Sequence, residues 1–359
     1  MKYRVAQFGT GFVGHFALRA IIEHPDFDLV GVWVHSKAKV GQDAGDIAGT
    51  LRTGILCTDS IDAILDLKPD CVCSAAGGDG REQWMADAHC RFLEAGINVV
   101  SSSIVGMVDP QAHPDRALLH QLEDAAIRGG ASYFTSGIEP GFMSDVVPLT
   151  LTGASQYWRS VRVQEILDYS TYIPNEVEKL MGDVLGFGRP LDQTPILFHP
   201  GRLTYVWGGP VTLMAKGLGV RLDRVVERVW RHPAAQTYDV PRFGTVRQGT
   251  ADAFRFEVVG VVDGREAIVV EHVTRLRPDT APHWPAGSAG PGYYIQVDGD
   301  PKMNCHISCV GPDGDHHSGG ILLTGTRIVN AIPAVCAARP GMLSALDLPL
   351  ITGRRLYRP

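Results

Sequence analysis

The chain opens with a short apolar run, Tyr3–Phe8, then a cluster of glycines, then Phe16, Leu18, Ala20, Ile21 and Ile22 at mostly helical apolar spacing up to His24-Pro25. This pattern predicts a buried strand, a glycine turn and a helix. Residues 28–35, 70–75 and 97–101 repeat the short β-branched run, helical stretches over 60–67, 82–95 and 116–128 separate them, and 132–136 predicts one more strand. Such alternation predicts an α/β fold with a doubly wound parallel sheet, covered by helices on both faces.

The period changes after Gly137-Ile138-Glu139-Pro140-Gly141-Phe142. Apolar and polar residues then alternate over 161–169, 221–230, 253–262, 266–276, 293–297 and 304–310, with Asp263-Gly264 as a hairpin turn. These runs predict a second, α+β domain built on a mostly antiparallel sheet, with a helix over 207–218 packed on it. Pro278, Pro282, Pro285, Gly287, Gly290, Pro291 and Gly292 make 278–292 a loop, and the first place to look for a lid or mobile connection. Residues 320–335 read as a helix, and the tail from about Thr324 is expected to pack back on the first domain. The expected division is therefore 1–145, completed by 324–359, and 146–323, a domain for substrate and dimerisation.

A length of 359 residues agrees with two domains, since it exceeds what one core usually organises. A net charge of −6 with no clustered Lys and Arg argues against a nucleic-acid partner. Seven cysteines, an odd set without CxxC pairs, argue against a zinc knuckle or a disulfide framework and read as reduced thiols. The amino terminus runs straight into a strand pattern without leader features, and no apolar run reads as long enough to span a bilayer. The expected location is the cytoplasm, with no membrane partner.

Gly9-Thr10-Gly11-Phe12-Val13-Gly14 has the G-x-G-x-x-G spacing, which among 41 glycines carries weight only through its context. Here a strand precedes it, a helix follows, and a second strand comes at the distance of a βαβ unit, which is the Rossmann fingerprint for a dinucleotide. Gly9 allows the tight turn, Gly11 lets backbone approach a pyrophosphate, and Gly14 lets helix and strand pack; the helix start at Thr10, Phe12 and Val13 offers N–H groups to phosphate. After the second strand stands His35-Ser36-Lys37-Ala38-Lys39, with no carboxylate for a ribose 2′-hydroxyl. Ser36, Lys37 and Lys39 instead suit a 2′-phosphate, so NADP(H) is the expected coenzyme. Ser74-Ala75-Ala76-Gly77-Gly78 and Ser101-Ser102-Ser103 follow the third and fourth strands, where small residues would admit ribose and nicotinamide.

Glu139, with Pro140 and Gly141, falls at the same sheet edge, where a carboxylate could hold an amine or protonate a developing anion beside the nicotinamide. Tyr169 and His272 are the next candidates for catalysis, with Glu165, Asp168 and Tyr172 near them in the pattern. His24, His89, His113 and His120 read as solvated. Asp315-His316-His317-Ser318 reads as a helix cap, and adjacent histidines lack the spacing of a two-histidine metal site, so no metal is expected.

Gly9–Gly14, Asp43-Ala44-Gly45-Asp46-Ile47-Ala48-Gly49, the serine run and the Pro-Gly-Phe turn together resemble the dihydrodipicolinate reductase-like family, which includes 2,4-diaminopentanoate dehydrogenases and native amine dehydrogenases. The resemblance implies a Rossmann domain, an α+β substrate and dimerisation domain, a homodimer, and NADPH-linked interconversion of small amines with imines or ketones. Family members active on amines carry a glutamate shortly after the fourth strand, where this chain has Ile104-Val105, and favour Asn-Pro-Gly-Phe, where it has Glu139-Pro140-Gly141-Phe142. Either Glu139 takes over part of the polar role or the substrate is an uncharged ketone or alkene. Dihydrodipicolinate reductases proper carry paired histidines followed by lysine; His316-His317 comes too late and lacks the lysine. The expectation is an NADP(H)-dependent oxidoreductase, the alternatives being a carbonyl reductase that does not use ammonia and an NADPH-binding sensor or scaffold without catalysis.

Overall fold

The computed structural model describes residues 2–77, 80–172 and 178–358, so Gly78 of the small-residue turn lies outside the described residues. The chain forms two compact units, Met1–Phe142 with Ile321–Pro359, and Met143–Gly320. Each break falls three residues before the position expected from the sequence pattern.

In the first unit β1 (Tyr3–Phe8), α1 (Phe12–Glu23), β2 (Phe27–Trp33), α2 (Ala44–Ala48), α3 (Ile61–Asp66), β3 (Cys71–Ser74), α4 (Glu82–Glu94), β4 (Asn98–Ser101), α5 (Arg116–Gly129) and β5 (Ser132–Thr135) follow in order. The sheet order is β5-β4-β3-β1-β2, every pairing parallel. Strands buried on both faces need continuous apolar runs. Phe8, Met85, Phe92 and Leu122 fill one face, and Val5, Val100 and Phe134 the other.

In the second unit come α6 (Val146–Thr152), β6 (Tyr157–Asp168), α7 (Arg202–Gly217), β7 (Arg224–Pro233), β8 (Tyr238–Val240), β9 (Gly244–Val246), β10 (Ala251–Val262), β11 (Arg265–Arg275), β12 (Gly292–Asp300) and β13 (Met303–Ile307). The main sheet runs β13-β12-β6-β11-β10-β7, antiparallel except for the central β6–β11 pair. Leu203, Val211 and Met214 of α7 pack on Phe254, Phe256, Val258 and Val270. With a period of two, the next residues along β10 and β11 point to the other face, where Arg162, Arg255 and Arg228 pair with Glu257 and Glu271 or Glu266. The sequence did not separate the small β8–β9 hairpin from its flanking turns.

The loop over 278–292, the candidate lid or mobile connection, is held by hydrogen bonds near both ends. The buried Arg275 guanidinium donates to the carbonyls of Thr280, Ala281, Trp284 and Pro285, and Tyr294 ties Ala289 and Gly290 at the other end. Turn composition locates such a loop but is silent on the guanidinium of Arg275, at the end of the strand that leads into it.

The last helix, α8 (His316–Ala337), is followed by β14 (Gly341–Leu343), a sixth parallel strand beside β5 that the sequence pattern did not show. The 22-residue α8 contains an 18-residue stretch with a mean hydropathy of 1.4, long and apolar enough to cross a membrane, against the expectation that no run would be. Its Ile328, Val329, Ile332 and Val335 are instead fully buried against Val5, Ala17 and Phe134 in the first unit.

Candidate active site

The glycine turn is built by steric exclusion. Gly9 has φ +92°, and a Cβ there would lie 2.7 Å from the Ala76 backbone. A Cβ on Gly14 would come within 2.2 Å of the Gly9 carbonyl oxygen, so helix and turn meet at backbone distance. Nothing lies within 4 Å of a Cβ built on Gly11. Two glycines are thus needed for packing and the third faces open space at the start of α1, which has no side-chain cap and no acidic residue in its first turn. Helix N–H groups and dipole there favour an anion, so the donor set fits a diphosphate.

Beside this turn Lys39 Nζ donates to the Thr10 carbonyl at 2.8 Å, adding positive charge at the turn itself. Lys37 forms an ion pair with Asp59, while its side chain stays 87% exposed. Ser36 opens the short 3₁₀ turn Lys37–Lys39 with its hydroxyl making no cap. The Asp43–Gly49 stretch has a structural role: Asp43, 3% exposed, accepts from the amides of Gly45, Thr53 and Gly54, and these bonds hold its carboxyl below the ordinary range. His15 Nδ1 meets the Ile47 carbonyl at 2.9 Å and ties α2 to α1.

Ala75 and Ala76 line the turn, but the serines of this edge are committed internally. The Ser74 hydroxyl lies 2.8 Å from His89 Nε2 and 3.1 Å from the Ser103 hydroxyl, and Ser101 Oγ accepts the Ser103 amide. Of the two serines expected to meet the cofactor, Ser101 is buried with its hydroxyl spent, and Ser102 is half-buried on the turn. Burial corrects three of the four histidines read as solvated: His24, His89 and His113 are 6%, 0% and 1% exposed. Burial lowers the basicity of all three, that of His89 to about 3. The helical pattern gave His89 no face; it sits on the inner side of α4.

Where the family glutamate would stand, Ile104 is 1% exposed in the core and Val105 opens a 3₁₀ turn. Next to it the Ile138–Phe142 turn has a cis Glu139–Pro140 bond and Gly141 at φ +138°, a conformation that favours glycine. The Ile138 amide donates to Thr324 Oγ1 at 3.3 Å, so α8 braces the turn. Glu139 is half-buried, with both carboxylate oxygens shielded from solvent.

The second unit gathers the remaining candidates. Glu165 of β6 pairs in register with His272 of β11 on one side and Tyr293 of β12 on the other. Its carboxylate lies 3.1 Å from His272 Nδ1 and accepts the Tyr293 hydroxyl. Burial pushes its pKa up, but His272 and Tyr293 outweigh this and hold it below the ordinary range. His272 stacks on Phe256 at 4.6 Å and meets Trp207 edge-on at 4.7 Å. Tyr169, Tyr172 and His317 form a trio with every pair of centroids 4.8 Å apart. The Asp168 carboxylate caps the turn at Ser170, and its carbonyl meets both His316 and His317. Asp315 accepts the His317 amide, as a cap should. Tyr293 was not singled out in the sequence and His317 was read only as part of a helix cap, because only the strand register and the start of α8 bring them to Glu165.

Comparison with known proteins adds family to this geometry. Residues 142–355 match the 2,4-diaminopentanoate dehydrogenase C-terminal domain. The chain is similar to an amine dehydrogenase of Streptomyces virginiae, 38% identical over 96% of this chain and 95% of that one. It is more distantly similar to a 2,4-diaminopentanoate dehydrogenase of Acetoanaerobium sticklandii, 22% identical over 97% and 94%. Among solved structures it resembles the amine dehydrogenase of Mycobacterium smegmatis, with a TM-score of 0.77, 18% identity, and 99% and 98% of the two chains covered.

Proposed function

The chain belongs to the 2,4-diaminopentanoate dehydrogenase family, and from that premise we propose that it is a nicotinamide-dependent amine dehydrogenase that interconverts a small amine with its imine or ketone and prefers NADP(H). The observation that carries this reading is the open space in front of Gly11 at the uncapped start of α1. Bound there, the coenzyme would supply or accept a hydride. The backbone of Gly9–Gly14 would hold its diphosphate, with Ala75 and Ala76 leaving room beside it and Pro140 and Gly141 shaping the edge nearest the ring. Ser36 and the exposed Lys37 would take the 2′-phosphate, Lys37 exchanging Asp59 for a stronger partner, while Lys39 raises the potential at the turn. A charge-assisted contact of this kind contributes roughly 1.5–3 kcal/mol, about ten- to a hundredfold in affinity.

The chain's own contribution to catalysis would be largely orientation, with a polar group meeting charge on nitrogen or oxygen. Glu139, on the braced turn, is one carboxylate for that task; His272 and Tyr169, in the second unit, would line the substrate side. In the same reading the protein is cytoplasmic, with its seven cysteines free, and pairs as a homodimer through the second unit's sheet. The buried Ile104, in place of the family glutamate, favours as second reading a carbonyl reductase or a coenzyme-binding sensor. Incubation with a ketone panel and NADPH or NADH, with and without ammonia, separates these. Oxidation of NADPH only with ammonia is expected; oxidation without it indicates a carbonyl reductase, and binding without turnover a sensor. Lys37→Ala should weaken NADPH at least tenfold and leave NADH unchanged.

A further inference from the structure

We propose that the second unit contains an ammonium-binding site, in which the carboxylate of Glu165 receives the protonated amino group of the substrate and Tyr169, Tyr172 and His317 supply the aromatic wall. The inference rests on the amine-dehydrogenase reading and assigns it a carboxylate other than Glu139.

Glu165 is the carboxylate of a small polar cluster, with His272 and Tyr293 in register beside it, on an otherwise apolar face of the sheet. The same face carries Val161, Val163, Ile268, Val270, Ile295 and Val297, all buried. An ionised carboxylate on such a face is costly unless it is paired, and an apolar residue would pack there at no such cost. Three arginines of the sheet, Arg162, Arg228 and Arg255, alternate to the opposite face and serve Glu257, Glu266 and Glu271. They are not there for Glu165.

What surrounds Glu165 leaves it able to take a cation. A carboxylate has about four acceptor directions, and among the described residues His272 and Tyr293 take two of them. The neighbouring rings keep their neutral forms: burial and the adjacent His316 lower the basicity of His317, and burial with the Glu165 charge itself raises the Tyr169 hydroxyl well above its ordinary range. A compact cation beside a carboxylate and aromatic faces gains from both, whereas an anionic substrate would be repelled. The chemistry selects a primary ammonium on a small apolar body, and, in the direction of amine formation, ammonium itself.

The test uses tert-butylammonium, which has no α-hydrogen and so binds without being oxidised, with neutral tert-butanol as the isosteric control. Binding to the full-length protein is measured calorimetrically with NADPH affinity as the folding control. The wild type is expected to bind the ammonium at least tenfold more tightly than Glu165→Gln, with tert-butanol and NADPH indifferent to the substitution. Equal ammonium affinity in wild type and Glu165→Gln, or none in the wild type, overturns the proposal. If Glu165→Gln does not fold, Tyr172→Leu replaces it: a loss of at least threefold for the ammonium alone supports the site, and an equal loss for both probes or for neither overturns it. Glu165-dependent ammonium binding in a protein that oxidises no amine would sink the dehydrogenase reading while leaving the site standing. Amine turnover with unaltered ammonium binding in Glu165→Gln would do the reverse.

Discussion

The glycine turn of the first unit and the Glu165 cluster of the second are built from different materials. The turn consists of backbone: Gly9 and Gly14 are glycines because a Cβ would strike Ala76 or the Gly9 carbonyl, and nothing lies within 4 Å of a Cβ built on Gly11. The cluster consists of side chains from β6, β11 and β12, the turn after β6 and the start of α8, held by paired strand registers and ring contacts. A backbone site tolerates any side chain that stays out of its way and fails when one enters. A side-chain site depends on the chemistry of each member, and an isosteric exchange can empty it without moving the fold.

The glycine turn breaks hardest. Gly14→Val drives a Cβ into the Gly9 carbonyl oxygen 2.2 Å away, which is backbone and cannot step aside as a flexible side chain would. Overpacking of this kind costs about 1–3 kcal/mol or more, so a fall of several degrees in Tm and loss of NADPH binding are expected. A Cβ on Gly11 meets nothing within 4 Å, so Gly11→Val should cost only a weaker N-cap and a smaller fall in Tm than Gly14→Val, while binding NADPH at least tenfold more weakly. Scanning calorimetry and coenzyme titration check both; the same profile for the two variants would erase the distinction between packing glycine and ligand glycine.

A smaller effect concerns the acid side of stability. His89 is fully buried, and burial lowers its pKa from the ordinary 6.5 to about 3. Between those values the unfolded chain binds a proton that the folded chain refuses. Its contribution is therefore complete above pH 6.5 and is lost as pH falls towards 3, by up to about 1.4 kcal/mol per pH unit. His89→Gln, which can keep the Ser74 hydrogen bond and cannot titrate, should flatten the fall in urea midpoint between pH 7 and pH 5. A fall as steep as that of the wild type would show that other groups carry the acid limb.

What was legible in the sequence follows the same division. Period-2 and period-3.6 patterns and the Gly9–Gly14 spacing disclosed both sheets and the position of the turn, because backbone packing demands residue types at fixed intervals. Ser74, Ser101 and Asp43 could be placed but not interpreted: whether a hydroxyl or carboxylate faces a ligand or its own loop depends on partners such as His89 and Thr53 that pattern does not select. Tyr293 and His317 reach Glu165 through strand register and the start of α8, from positions more than a hundred residues away from it, so no spacing rule could group them. The β14 strand and the fastening of the 278–292 loop escaped for other reasons. Three residues are too few for a strand pattern, and composition does not show that Arg275 turns back to the carbonyls of the loop that follows it.

The central claim is that a nicotinamide dinucleotide rests on the glycine turn with its 2′-phosphate at Ser36 and Lys37. Calorimetric titration of the purified chain with NADPH and NADH tests it directly. The account predicts one saturable site per chain with NADPH the tighter ligand; absence of affinity for both coenzymes would contradict it.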